Sequence, residues 1–308
     1  MSEPSIGSKL SHAADEVAAD AHPWIEPLAR AGYSAKALLY GTIGFLAVRV
    51  ALGIGGTTTD TRGAMTAVLR APYGRFLLTL VAIGLMGYGF WRVVEAITDP
   101  DRRGRGLKAV LLRASFAIRG IFHAALAVTG IRLAVGWYGE DQNRREIEEW
   151  TARLLALPAG EWIVWSVAAG IGGYGLYQLY RAFAEKLSKQ LNLGRVSAEL
   201  GRWIIVVSRF GIGARGVVFV AIALLAARAA AEHDPTEAGG IADSLRSLAA
   251  LGRGPLAAIG FGLIAYGIYE LLNARYRRIE SRIDPALEKN RNMESHRSEI
   301  PEAKETSF

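Results

Sequence analysis

Six long stretches of the chain are apolar and almost free of charge, and this feature limits the possible folds more than any other. They span residues 37–48, 76–91, 120–131, 162–180, 216–227 and 254–269. The fourth has 19 uncharged residues, close to the ~20 that an α-helix needs to cross ~30 Å of hydrocarbon. The others reach that length by including one Lys or Arg, whose long side chain can extend to the membrane surface. The pattern predicts an all-α, polytopic membrane protein with six transmembrane helices, because a soluble domain of this size rarely needs six fully buried helices.

The chain also contains three copies of one unit. Arg30, Arg113 and Arg209 align without gaps, and the residues six and nineteen positions further on are basic in every copy. These positions are Lys36, Arg119 and Arg215, followed by Arg49, Arg132 and Arg228. Downstream, Gly-Tyr-Gly at 87–89 aligns with Gly-Tyr-Gly at 173–175 and Ala-Tyr-Gly at 265–267. The sequence therefore predicts that each copy contains, in this order, a membrane helix A, a short amphipathic surface helix and a membrane helix B.

The repeat sets the predicted organisation of the chain. Repeats 1, 2 and 3 cover residues 27–100, 109–187 and 202–279, with two membrane helices each. Residues 1–26 form a polar N-terminal arm without the features of a signal peptide, and residues 280–308 are predicted to be disordered. The glycines of helix B, including Gly84 and Gly170, are expected to let neighbouring helices approach closely.

This pattern resembles a bacterial family of uncharacterised integral membrane proteins, domain-of-unknown-function family number 1206, described as three tandem two-helix transmembrane units. The resemblance covers about residues 26–280 and rests on the Arg-(x)5-Lys/Arg frame and the Gly/Ala-Tyr-Gly box. It implies six membrane spans and supplies no catalytic residue. The second copy departs from the first, with Phe116 and His123 at the positions of Tyr33 and Tyr40.

The distribution of charge predicts the orientation. The net charge is +7, and when the termini and the linkers between repeats lie on one side, that side holds 25 of the 36 Lys and Arg residues. The positive-inside rule then places both termini in the cytoplasm of a multi-pass protein of the bacterial cytoplasmic membrane. Anionic phospholipids at that face are expected partners, whereas nucleic acid is not, because the basic residues flank membrane spans. The absence of cysteine excludes disulfides and thiolate metal sites.

Several polar side chains are predicted to share one depth inside the bundle. Lys36, Arg119 and Arg215 lie ~9 Å deeper than the first Arg of each helix A. We expect a pseudo-threefold bundle with an interior cationic layer, balanced in part by acidic residues and carrying a net charge of +3, so that a ligand would be anionic. The speculative ligand-binding residues are Lys36, Arg119, Arg215, Tyr88, Tyr174, Tyr266, Arg92 and Glu270. The alternative is that these Lys and Arg side chains only extend to lipid headgroups and set the orientation.

Three classes of function remain open at this point. The favoured hypothesis is binding or permeation of a small anion through the bundle. The alternative is a structural or lipid-binding protein whose basic collar, meaning the Lys and Arg residues on the predicted cytoplasmic side, engages anionic phospholipid. A membrane enzyme is the least supported class, because no catalytic motif is present, and no cofactor or metal is predicted. His123, the one histidine within a predicted span, is expected to be a hydrogen-bonded core residue rather than a metal or haem ligand. Ligand identity, oligomeric state and whether the bundle centre is open or packed are left undecided.

Overall fold

The computed structural model describes residues 6–98, 106–137, 142–184 and 197–276. These residues form helices and connecting loops and contain no strand, as the all-α prediction requires. The helices are α1 Ile6–Ala51, α2 Thr61–Leu69, α3 Gly74–Thr98, α4 Leu107–Ala134, α5 Gln142–Leu155, α6 Gly160–Phe183, α7 Ala198–Glu232, α8 Ile241–Ala250 and α9 Arg253–Tyr276, with a 3-10 turn at Pro235–Glu237. The predicted polar arm merges into α1 from Ile6 onward, and the tail predicted at 280–308 lies outside the described residues.

Each repeat contains a long helix, a short helix and a second long helix, as the sequence predicts. Helices α1, α4 and α7 are the A helices, α3, α6 and α9 are the B helices, and α2, α5 and α8 lie between them. The short helices begin at defined caps in two copies. The Asp60 carboxylate accepts a hydrogen bond from the Gly63 amide at 2.9 Å, and the Asp243 carboxylate accepts one from the Gly240 amide at 3.0 Å. Such caps satisfy amides that have no partner within the helix.

Five of the described helices are long and apolar enough to cross a membrane. They are Pro27–Ala51 within α1, Gly74–Ile97, Leu112–Ala134, Glu199–Glu232 and Arg253–Tyr276. Together they indicate a membrane protein. Helix α6 does not reach the same hydropathy, because it carries several glycines, aromatic residues with polar atoms and Gln178 in place of aliphatic residues. The count of six spans is therefore not confirmed.

The long helices pack in the order α4–α3–α1–α9–α7–α6. Each B helix approaches an A helix of another repeat closely, at aligned glycines. A Cβ atom on Gly89 would lie 2.8 Å from the Gly120 carbonyl oxygen, and one on Gly175 would lie 3.0 Å from the Gly216 oxygen. At the equivalent contact, a Cβ on Gly267 would lie 2.8 Å from the carbonyl oxygen of Ala37. These contacts explain the second glycine of the box, because only a glycine lets the two backbones come this close.

The contacts within repeats do not follow the threefold pattern. Helix α1 packs on α3 and α7 packs on α9, but within the described residues α4 and α6 do not form the corresponding contact. A Cβ on Gly84 would meet the Ala31 carbonyl oxygen at 2.8 Å, whereas one on the aligned Gly170 would meet no described atom within 4 Å. The expected pseudo-threefold bundle is therefore open on one side, and the close approach predicted at Gly170 is wrong.

Candidate functional site: a cationic cavity in the bundle

A cavity of about 790 Å³ occupies the centre of the bundle. The walls come from α1, α3, α4, α6, α7 and α9, so that all six long helices contribute. The structure brings together all eight residues that the sequence singled out, because Lys36, Arg119, Arg215, Tyr88, Tyr174, Tyr266, Arg92 and Glu270 all line this cavity. The centre of the bundle is thus open, a question that the sequence left undecided.

The cavity walls are strongly cationic. Five cationic side chains line it, namely Lys36, Arg92, Arg119, Arg181 and Arg215, and Glu270 is the one carboxylate among the lining residues that the structure describes. Glu95 lies just behind the wall and pairs with Arg92. The five cations and two carboxylates leave a net charge of +3, and the low dielectric around the site makes that charge more effective than it would be in water.

Lys36 and Glu270 form a buried ion pair between α1 and α9. The Lys36 Nζ atom lies 2.8 Å from Oε1 of Glu270, and the Tyr266 hydroxyl donates a hydrogen bond to the same oxygen. The ammonium group also lies over the rings of Tyr33 and Tyr88, at 5.3 and 5.0 Å from their centroids. Lys36 is therefore neutralised within the protein by Glu270, one of the acidic residues expected to balance part of the cationic layer.

Arg215 is held by hydroxyl groups and aromatic rings. Its Nε donates to the Tyr40 hydroxyl at 3.0 Å, and its Nη1 donates to the Tyr174 hydroxyl at 2.9 Å. The guanidinium carbon lies 4.7 Å from the ring centroid of Phe219 and 4.9 Å from that of Tyr266. Among the described residues no carboxylate pairs with Arg215. Neutral partners orient this cation but leave its charge uncompensated.

Arg119 is the least constrained of the cavity cations. Its guanidinium carbon lies 5.7 Å from the ring centroid of Tyr174, and within the described part of the chain no side chain forms a hydrogen bond or ion pair with it. The side chain is half-buried in the wall formed by α4. An arginine with free N–H groups at the edge of a cavity can bind an anion through two parallel hydrogen bonds.

Arg92 and Arg181 belong to local networks. Arg92 donates from Nε to the Tyr88 hydroxyl at 3.0 Å, and its Nη1 lies 2.6 Å from Oε2 of Glu95. Arg181 donates from Nη2 to the Tyr269 hydroxyl at 2.8 Å, which joins α6 to α9. Arg92 is therefore neutralised by Glu95, and Arg181 holds two helices together. The candidate ligand cations are Arg119, which has no hydrogen bond from its side chain among the described residues, and Arg215, which has no carboxylate partner there.

Gln178 lines the cavity but was not assigned to the site from the sequence, and it shares an unusual feature with Glu270. Gln178 and Glu270 are each only 2% exposed, and among the described residues Oε1 of Gln178 and Oε2 of Glu270 have no hydrogen-bond partner. The two residues are equivalent in the repeat alignment, together with Arg92 in the first copy. This alignment was the available signal for Gln178, but an uncharged amide drew less attention than the basic residues. Buried polar atoms without partners are uncommon and costly.

His123 is hydrogen-bonded, as predicted, and also lines the cavity. Its Nδ1 atom lies 2.7 Å from the carbonyl oxygen of Arg119, which can only accept, so Nδ1 carries a hydrogen. The ring lies edge-on to that of Tyr88, with centroids 4.8 Å apart. In the neutral ring Nε2 is then an acceptor. Among the described residues no group of three or more side chains suited to bind a metal is present.

The first arginine of the repeat frame has a different role. Arg30 donates to the carbonyl oxygens of Ala274 and Arg275 in the last turn of α9. Arg113 donates to the carbonyl oxygens of Ala96 and Ile97 in α3, at 2.7 and 3.1 Å. Both cap the C-terminal end of a B helix from another repeat, where the helix dipole favours a cation. These arginines lock repeats together and do not reach the cavity.

The comparisons with known proteins give the same division of the chain. A family model described as Domain of Unknown Function (DUF1206) matches residues 31–99, 114–185 and 210–277. The three matched segments cover more than half of the chain. The chain belongs to the DUF1206 family. Each matched segment of this DUF1206 protein contains one A helix, one short helix and one B helix, in agreement with three tandem units.

One relative aligns with most of the chain. The chain is 27% identical over 259 residues to a Bacillus subtilis (strain 168) protein named "Uncharacterized protein YxxB", which covers 83% of this chain and 93% of the relative. No solved structure matches the chain significantly. For this DUF1206 protein, function must therefore be argued from the geometry of the cavity itself.

Proposed function

We propose that this protein binds an anion in the central cavity, within a bundle of six transmembrane helices in a bacterial cytoplasmic membrane. The observation that carries the proposal is the state of Arg119 and Arg215, two guanidinium groups that face the cavity without a carboxylate partner among the described residues. A charge inside a membrane protein is costly unless it is compensated. An anionic ligand would compensate both arginines at once.

The test is the thermal stability of purified protein in mild detergent with inorganic phosphate as the probe. A ligand that binds only the folded state raises the unfolding temperature, and a concentration of ~100 Kd stabilises by ~2.7 kcal/mol. Phosphate is expected to stabilise the native protein and Arg132→Gln but not Arg119→Gln. Arg132 is the matched control because it lies on the same helix, is exposed and does not line the cavity. Equal stabilisation of the two variants would contradict the proposal.

Permeation would extend this proposal. At one side of the bundle the cavity wall begins at Thr61 and Ile241, the first residues of the short helices α2 and α8. At the other side it ends at Arg181 and Asn273, near the C-terminal ends of α6 and α9. The lining thus covers most of the depth of the bundle. Flux of phosphate into vesicles that contain the native protein, compared with Arg119→Gln, separates permeation from binding.

The alternative function places anionic phospholipid on the basic collar at the cytoplasmic face. The one-sided distribution of Lys and Arg favours it. Two of the collar arginines, Arg30 and Arg113, are however engaged with helix carbonyl groups. That engagement reduces the charge the collar can offer to lipid and makes the cavity the better candidate.

The proposed topology has six spans with both termini in the cytoplasm, and α6 is the span to be tested. Its place in the repeat is the same as that of α3 and α9, and its residues 162–180 are uncharged. Because the chain has no cysteine, single cysteines report their side of the membrane without background. Leu157→Cys, before α6, should react with an impermeant maleimide on intact cells. Ala184→Cys, after α6, should react only after the membrane is opened. Labelling of both from one side would refute the sixth span.

A further inference from the structure

The cavity opens sideways, between α4 and α6. Helices α4 and α6 lie at the two ends of the packing order. In the part of the chain that the structure describes they leave a gap between them, whereas helices A and B of the other two repeats are in contact. The sequence contains a reason. Copies 1 and 3 have Gly32 and Gly211 where helix A meets helix B, and a Cβ on either glycine would overlap the partner helix. Copy 2 has Ser115 at the aligned position, so α4 cannot approach α6 in the same way.

The rim of this gap is apolar and accessible. Ile118 and Phe122 on α4 line the cavity and are 67% and 56% exposed, and Val167 on α6 lines it and is 45% exposed. In a membrane these side chains face hydrocarbon rather than water. A hydrated ion would meet an unfavourable apolar surface there, whereas a hydrocarbon chain would fit.

The interior changes from apolar to charged along the bundle. On α6 the lining begins with Val167 and Ile171 and ends with Gln178 and Arg181. On α4 the lining runs from the apolar Leu126 to the polar Ser115, a distance of ~16 Å along the helix axis. This change has the same direction across the bundle as the change from Val167 to Arg181 on α6. One end of the cavity therefore suits an acyl chain, and the other suits an anionic headgroup.

We infer that the cavity takes an anionic phospholipid of the bilayer, entering through the gap between α4 and α6. The phosphate group lies at Arg119 and Arg215, and the acyl part lies against Ile118, Phe122 and Val167 of the rim. Because the cationic layer is only ~9 Å deeper than the first arginines of the A helices, a lipid of the cytoplasmic leaflet reaches it with a small displacement. This inference rests on the proposed anion site and names its ligand class.

The experiment measures lipid retained by the protein. Delipidated native protein, Arg119→Gln and Arg132→Gln are incubated with vesicles of phosphatidylglycerol and phosphatidylcholine in equal amounts, re-extracted in mild detergent and weighed by native mass spectrometry. The native protein and Arg132→Gln should retain about one phosphatidylglycerol per chain and little phosphatidylcholine. Arg119→Gln should retain at least tenfold less phosphatidylglycerol.

A second pair of variants tests the sideways opening. Gly170 lines the cavity at the gap, whereas Gly173 lies on the same helix and does not line it. In the part of the chain that the structure describes, a Cβ on either residue meets no atom within 4 Å. Gly170→Leu should retain several-fold less phosphatidylglycerol than the native protein, while phosphate should still raise the unfolding temperature of this variant. Gly173→Leu should retain lipid like the native protein.

The outcomes separate this inference from the proposal on which it rests. Equal retention of the two lipids, or equal retention by Arg119→Gln and Arg132→Gln, would mean that the lipid is only peripheral and would overturn the inference. Absence of lipid, combined with phosphate stabilisation that depends on Arg119, would also overturn it but would leave a site for a water-borne anion. If phosphate stabilisation is independent of Arg119 as well, the proposed function fails with it.

Discussion

Replacing Lys36 with Gln is expected to lower the free energy of unfolding by ~3–5 kcal/mol, because the change leaves the Glu270 carboxylate buried without its counter-ion. The pair lies within 2.8 Å and is almost fully shielded from solvent. Removal of one partner of a buried pair costs far more than removal of both. Unfolding in mixed micelles, followed by the near-ultraviolet signal of the tyrosines and tryptophans, measures the change.

The controls for this prediction are a double variant and a distant cation. Lys36→Gln combined with Glu270→Gln should recover most of the lost stability, since two neutral amides can hydrogen-bond in place of the ions. Arg228→Gln, an exposed position of the same repeat frame, should change stability by less than ~0.5 kcal/mol. A double variant as unstable as Lys36→Gln alone would show that the loss of stability does not come from breaking the Lys36–Glu270 ion pair.

Two aligned glycines are expected to respond to the same substitution with opposite signs. Gly84→Ala should destabilise by ~1–3 kcal/mol, because the new methyl group would lie 2.8 Å from a backbone carbonyl oxygen of α1 that cannot move independently of its helix. Gly170→Ala should stabilise by ~0.5–1 kcal/mol, because it finds open space and an alanine is the better helix former. The same unfolding measurement applies to both.

This pair tests the open side of the bundle directly. If α4 and α6 were in contact like α1 and α3, Gly170→Ala would destabilise as Gly84→Ala does. A destabilisation of similar size at both positions would therefore rule out the gap. Gly262→Ala, in the third copy, should behave like Gly84→Ala, because its Cβ would overlap that of Ala214.

The content of the cavity wall was predictable because it depends on local regularities. Helical periodicity places Tyr88 and Arg92 on one face of α3, and the repeat transfers that assignment to α6 and α9. Depth follows from the rise per residue, so Lys36, Arg119 and Arg215 were expected at one level. All of the residues chosen this way line the cavity.

The connections among those residues were not predictable in the same way. Lys36 pairs with Glu270, which is 234 positions away and in another repeat, because the first A helix packs against the last B helix. Arg30 and Arg113 reach helix ends of other repeats for the same reason. Repeat alignment states which residues are equivalent but not which copies are neighbours.

The sequence by itself determined the all-α architecture, the three tandem units and eight of the residues that line the cavity. These follow from apolar run length, helical periodicity and internal alignment, which are properties of short segments. Only the tertiary structure decided that Lys36 is neutralised, that Arg119 and Arg215 remain available, and that the bundle is open between α4 and α6. The physical reason is that Gly170 is the same residue type as its counterparts Gly84 and Gly262 and differs from them only in what it contacts, and a contact between helices depends on the packing of the whole bundle.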